Sequence, residues 1–249
     1  MTTNSPFRSI RTPRISLEIV EQIQEAIFRG DFAAGDRLPP ERELVQTFGV
    51  SKVTVREALR ILETYGLISI RPGASGGAFV NERTSQPVSR AVYNQLQLEG
   101  FSISQLYTAR ILFEPAVAEL ACQSANDEDL RELEASVERT RQLVAEGQKT
   151  SPESQEFHSI LIRSAKNPVI QIILSSLLDL IKLSRALVPS TPEISKMVLD
   201  DHEAIVEAMR QRDAAKVKAL MTDHLSKLSS QFTKMEEQGI KVTDGDHAF

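Results

Sequence analysis

The sequence lacks the marks of several common classes of protein. It holds one cysteine, Cys122, among 249 residues. No disulfide can form within the chain, which fits a reducing cytoplasm and leaves Cys122 as a small core residue. No run of about 20 apolar residues is present, as a membrane-spanning helix requires. Residues 1–16 lack the apolar core of a secretion signal. After about residue 89 there is no strand signal of any strength, and no internal repeat is evident. The nucleophile elbow, the phosphate-cradling loops and the Glu-x-x-His pairs of di-iron bundles are all missing. The Gly-rich stretch at 73–77, GASGG, matches neither phosphate-binding pattern. A globular chain is left, 41% hydrophobic and 25% charged, with room for two modest domains.

The net charge of −5 is unevenly divided. Residues 1–80 carry 10 Lys and Arg against 9 Asp and Glu, giving +1, whereas residues 81–249 carry 19 against 25, giving −6. A near-neutral first part with its cations on one face can still neutralise several phosphates. The acidic surplus belongs to the second part.

The stretch from 38 to 80 organises the first part. A short amphipathic segment, 41–48, follows Pro40, a residue suited to a first helical turn. Gly49 breaks it, and Ser51 can cap a second helix by accepting from an otherwise unpaired amide. Val50 and Val55 stand at the spacing of a hydrophobic staple. Val55, Ala58, Leu59 and Leu62 recur at i, i+3, i+4, i+7 and define a buried face. Lys52, Arg56 and Arg60, four apart, form a separate basic stripe. Two strands, 67–71 and 78–80, flank a turn rich in glycine. The pattern predicts a winged helix-turn-helix that reads double-stranded DNA.

Upstream, residues 1–15 carry Arg8, Arg11 and Arg14 and form either a free tail or a basic arm for the DNA backbone. Ser16 can cap a helix in which Leu17, Val20, Ile23, Ala26 and Ile27 keep a helical period up to Gly30. Residues 31–37 read as a turn-rich connector.

The fold class expected is mainly α. A winged helix-turn-helix at 1–81 is followed by a linker at 82–88, an all-helical domain at 89–238 and a tail at 239–249. Helices are expected at 89–98, 102–124, 127–146, 152–165, 168–187, 192–210 and 214–238, separated by Gly, Asn-Asp and Pro breaks. Three of the four histidines face inward by helical period. His158 aligns with Ile162 and Ala165, His202 with Val198, Ile205 and Met209, and His224 with Val217, Leu220 and Leu228. Each buried imidazole needs its polar atoms satisfied, either in a metal-free polar core or at one shared divalent cation.

The pattern LPPERELVQTFGVSKVTVREALRILETYGLI, with the Gly-rich turn and Phe-Val pair after it, resembles the reading domain of GntR-type bacterial regulators. That resemblance implies that Arg42, Lys52 and Arg56 reach bases and phosphates. Ser51, Thr54 and Arg60 share the same surface, and Gly76 and Gly77 let the wing approach the groove. It also implies a homodimer on an inverted-repeat operator, commonly a repressor released by its effector. The segments ARILFEPAVAELAC, EFHSILIRSAKNP and HEAIVEAMRQRDAAKVKALMTDHL resemble the all-helical FCD effector domain of the FadR subfamily. There a metal is held by an Asp, a His four residues later and two further His on the last helices. His158, His202 and His224 match the three His, but Ser154 stands at the Asp position. The implied site is therefore a three-imidazole site for zinc, or nickel, with a need for an exogenous anion. The resemblance makes Arg110 a clamp for a small organic acid, with Ser154 and Asn167 beside the pocket. Two other readings are an Arg110–Glu114 surface pair and a metal enzyme with three histidine ligands fused to a DNA-binding domain.

Overall fold

The computed structural model describes residues 13–73, 75–82, 84–148, 150–184 and 191–237. The chain separates into two compact units between Pro87 and Val88. Arg8, Arg11, the expected helix ends at 187 and 238, and the 239–249 tail with His247 lie outside the described residues.

The first unit contains α1 (Pro13–Arg29), α2 (Glu41–Phe48), α3 (Lys52–Thr64), β1 (Ile68–Arg71) and β2 (Gly77–Val80). The expected start of α1 at Ser16 is corrected. The helix begins at Pro13, whose fixed φ suits a first turn, and Ser16 is buried within it. Ile19 joins Val20 and Ile23 in the core, whereas Leu17 points outward. α1 packs on α3, whose Val55, Ala58, Leu59 and Leu62 are all buried as their period requires. Gly49 closes α2 in the left-handed region at φ 66°, where a Cβ would be strained. Ser51 then caps α3, its hydroxyl accepting from the Thr54 amide at 3.2 Å.

β1 and β2 pair antiparallel from Ile68 opposite Val80 to Arg71 opposite Gly77. The connector before α2 is more than a turn. Leu38 donates to the Ala78 carbonyl at 2.9 Å, Val80 to the Asp36 carbonyl at 2.8 Å, and Gly35 to the Val80 carbonyl at 2.9 Å. Residues 35–38 thus line the far side of β2. On the β1 side, the Ile70 amide donates to Glu63 Oε1 at 2.8 Å.

The second unit is helical throughout its described residues: α4 (Gln86–Glu99, starting just before the unit boundary), α5 (Ile103–Ser124), α6 (Asp127–Ala145), α7 (Ser151–Ser164), α8 (Pro168–Ser184), α9 (Pro192–Arg210) and α10 (Ala214–Glu237). The last part of the expected 82–88 linker is therefore already helix. Reciprocal capping boxes start α5 (Ser102 with Gln105) and α6 (Asn126 with Asp129). Thr191 caps α9, ahead of Pro192 in its first turn. α5 lies against α7, α8 and α10, and α9 against α6 and α10. Phe157, Leu161, Ile205, Met209, Met221 and Leu225 fill the core between them. No described helix is long and apolar enough to cross a membrane.

Candidate nucleic-acid interface and buried histidine cluster

α3 presents Lys52, Val53, Arg56 and Arg60 to solvent, and Arg42 is exposed on α2. Glu41, in the first turn of α2, accepts from Arg56 Nε with both oxygens, at 2.9 and 3.1 Å, and lies 3.7 Å from Lys52 Nζ. Ser51 and Thr54 also join their hydroxyls at 2.9 Å, so the cap occupies them both. The wing is braced from within. The Arg71 guanidinium covers the Phe79 ring at 4.2 Å, and Arg37 donates to the Gly76 carbonyl. A Cβ on Gly76 would fall 2.2 Å from the Arg71 carbonyl oxygen. One on Gly77, at φ 145°, would fall 2.7 Å from Arg37 Nε. The wing's own packing therefore requires both glycines, before any groove is approached.

In the second unit α7, α9 and α10 bring His158, His202 and His224 together. They are 2%, 0% and 0% exposed, with candidate ligand nitrogens all within 4.8 Å of one another. His158 Nε2 and His224 Nε2 stand 3.3 Å apart. The His202 ring stacks on Phe157 with centroids 3.8 Å apart and planes 12° off parallel. Behind the imidazoles stand two carboxylates. Glu114 Oε2, from α5, lies 2.8 Å from His158 Nδ1, a short contact not aligned as an ideal hydrogen bond. Asp201 Oδ2 lies 3.2 Å from His224 Nδ1. Each carboxylate is shared with a cation: Glu114 accepts from Arg110, with Nη2 to Oε2 at 3.1 Å, and Asp201 accepts from Lys227 at 2.7 Å.

Several expectations change here. The Arg110–Glu114 pair forms, yet it is buried on both sides at 3% and 1% exposure, so it is not a surface pair. The Arg110 guanidinium donates to Glu114 through Nε and Nη2. The Asn167 amide oxygen caps α8, accepting from the Val169 and Ile170 amides. Ser154 is buried one turn before His158. The imidazoles are not without carboxylate neighbours: although Ser154 stands at the Asp position, Glu114 on α5 and Asp201 on α9 lie beside them. The available signal was Glu114 within the apolar run of α5, four residues after Arg110.

Burial sets the protonation states. It pushes His158 down to about 4, outweighing the ionised Glu114 beside it. His224 is lowered by burial as well, against the pull of Asp201. Burial works to raise Glu114, but Arg110 and His158 override it and hold the carboxyl well below its ordinary range. Asp201 is likewise lowered, its partial burial outweighed by His224 and Lys227. At neutral pH His158 and His224 are neutral imidazoles backed by ionised carboxylates, with the His202 ring beside them. This donor set suits a divalent ion of zinc type. Two imidazole nitrogens bound tetrahedrally at ~2.0–2.1 Å stand roughly 3.4 Å apart, close to the spacing of the two Nε2 atoms.

Residues 15–80 match the bacterial regulatory proteins of the gntR family, and residues 105–227 match the FCD domain. The chain is 28% identical over 240 residues to the HTH-type transcriptional repressor NanR of Cronobacter sakazakii, covering 93% of this chain and 90% of that one. It is also 28% identical over 244 residues to NanR of Salmonella typhimurium, covering 94% and 90%. A solved GntR structure from Streptococcus agalactiae covers 87% of this chain and 99% of its own, with a TM-score of 0.68 at 24% identity, a likeness of fold. Basic recognition helix, braced wing and inward-facing histidine bundle agree with these matches: the chain belongs to the GntR family of bacterial regulators, with a DNA-binding helix-turn-helix domain followed by an FCD domain.

Proposed function

We propose that this regulator is a cytoplasmic, homodimeric repressor whose operator binding is controlled by a small carboxylate bound at a divalent metal in the helical domain. The reading domain spans 1–81 and the effector domain 89–238. Two copies place two equivalent recognition helices on an inverted repeat. Repression is the activity named for the NanR relatives.

The observation that carries the effector reading is the buried meeting of His158, His202 and His224. When bound there, zinc or nickel supplies positive charge and an open position for an anion. Glu114 and Asp201 do not cancel that charge, because Arg110 and Lys227 already neutralise them. A dication therefore leaves net positive charge in an apolar bundle, which a carboxylate ligand completes. Arg110 serves this site through Glu114. Ligand binding changes DNA affinity to the extent that it favours one arrangement of the dimer over another.

The test uses untagged protein purified without chelator. Elemental analysis should find up to one divalent ion per chain. Citrate, gluconate and lactate are then compared for their effect on melting temperature and operator affinity. At least one should stabilise the loaded protein far more than the stripped protein and shift operator binding. Absence of metal after loading with zinc and with nickel would favour a metal-free, His-lined polar pocket. Equal stabilisation of loaded and stripped protein would sink the metal-assisted pocket.

A further inference from the structure

We infer that Glu114 and Asp201 fix the tautomers of His158 and His224, and so turn both Nε2 atoms into lone-pair donors toward one shared divalent cation. The inference rests on the metal reading above and deepens it, because it says what orients the imidazoles where Ser154 stands in place of a carboxylate ligand.

A neutral imidazole carries one N–H and one lone pair, and the partner at one nitrogen decides which is which. An ionised carboxylate can only accept. With Asp201 Oδ2 in hydrogen-bond geometry 3.2 Å from His224 Nδ1, and Glu114 Oε2 in an off-line contact 2.8 Å from His158 Nδ1, the proton of each ring belongs on Nδ1, facing the carboxylate. The two Nε2 atoms are then both acceptors, facing each other at 3.3 Å in a fully buried site. Two lone pairs at that distance repel unless something positive lies between them. A bridging proton would make one ring an imidazolium, which burial opposes. A divalent cation satisfies both rings at once, and His202 lies within reach of the same point.

The carboxylates are themselves held in place. Arg110 and Glu114 face each other one turn apart on α5, and Lys227 reaches Asp201 from α10. Two parallel chains result, Arg110–Glu114–His158 and Lys227–Asp201–His224. In each the outer cation holds the carboxylate in place, and the carboxylate orients the ring. Carboxylates behind metal-bound histidines fix ring orientation and raise ligand basicity. Glu114 and Asp201 are positioning residues in this sense, acting on the metal through the imidazoles.

The test is zinc affinity of the untagged, full-length protein, measured by competition with a chromophoric chelator. Glu114→Gln and Asp201→Ala should each weaken zinc binding by about 10–100-fold. Asp201→Asn, which keeps an acceptor oxygen, should fall between wild type and Asp201→Ala. Asp201 is half-buried, and Lys227 retains Asp223 at 2.7 Å, so the Asp201 variants should fold even where Glu114→Gln does not. Long-range nitrogen–proton spectra of the zinc-loaded wild type should place the His158 and His224 protons on Nδ1. Wild-type zinc binding with unchanged affinity in folded variants, or protons found on Nε2, would overturn the inference and leave the metal site standing. Failure of the wild type to bind zinc would overturn both.

Discussion

Arg56 on α3 and Glu41 on α2 are joined by both carboxylate oxygens at 2.9 and 3.1 Å from Nε. The pair is solvent-facing, so it adds little to stability, but it aims the guanidinium before DNA arrives. Lys52, 3.7 Å from the same carboxylate, shares the arrangement. One exposed arginine of α3 is thus oriented by the helix next to it.

Replacing that arginine separates reading from folding. An arginine that reads guanine in two hydrogen bonds contributes roughly 1–3 kcal/mol of discrimination. Arg56→Ala should lose about that much operator preference over non-specific DNA while its circular dichroism stays at wild type. Mobility-shift titrations at fixed salt on operator and scrambled duplexes measure it. An unchanged ratio would remove Arg56 from the reading surface.

The metal ligands make a graded series. His202→Ala or His224→Ala should emerge largely metal-free by elemental analysis, since each removes one of three imidazoles. Ser154→Asp places a carboxylate one turn before His158 and should slow the stripping of metal by chelator. A Ser154→Asp variant that strips as fast as wild type would show that this position does not face the ion.

Stripped protein should lose stability as the pH falls. His158 has a folded-state pKa near 4 against an ordinary 6.5, so the unfolded chain binds its proton first. That contribution is fully present above pH 6.5 and declines as the pH falls from about 6.5 toward 4, by roughly 3 kcal/mol in all. His224 adds to the same trend, and so, at lower pH, do the depressed Glu114 and Asp201. Urea denaturation of chelated protein between pH 7.5 and 4.5 measures it. Midpoints that stay constant over this range would contradict neutral burial of these rings.

The helix-turn-helix was legible in the sequence because its signals are local. A cap at Ser51, a glycine at 49 and apolar residues at helical period each constrain a few neighbouring residues. The inward direction of His158, His202 and His224 was legible for the same reason. Contacts between distant helices were not. Spacing shows that Arg110 and Glu114 can pair, but only the packing of α5 on α7 puts that pair inside and against His158. Asp201 precedes a buried histidine on α9, yet its partner is His224, 23 residues on. The 31–37 connector read as turn because Gly and Asp signal turns, whereas its pairing with β2 spans about forty residues of chain. Ser16 looked like a cap because hydroxyl residues favour caps, and Pro13 had already begun the helix.

The strand pairing around the wing has a consequence for solubility. A two-stranded hairpin standing alone has two open edges, each a template for another chain. Here residues 35–38 occupy the outer edge of β2, and Glu63 takes the outward amide of Ile70 on β1. A charged side chain and a folded-back connector thus close the edges at which copies of the domain would otherwise stack. The hairpin can then stay exposed without recruiting a neighbour's strand.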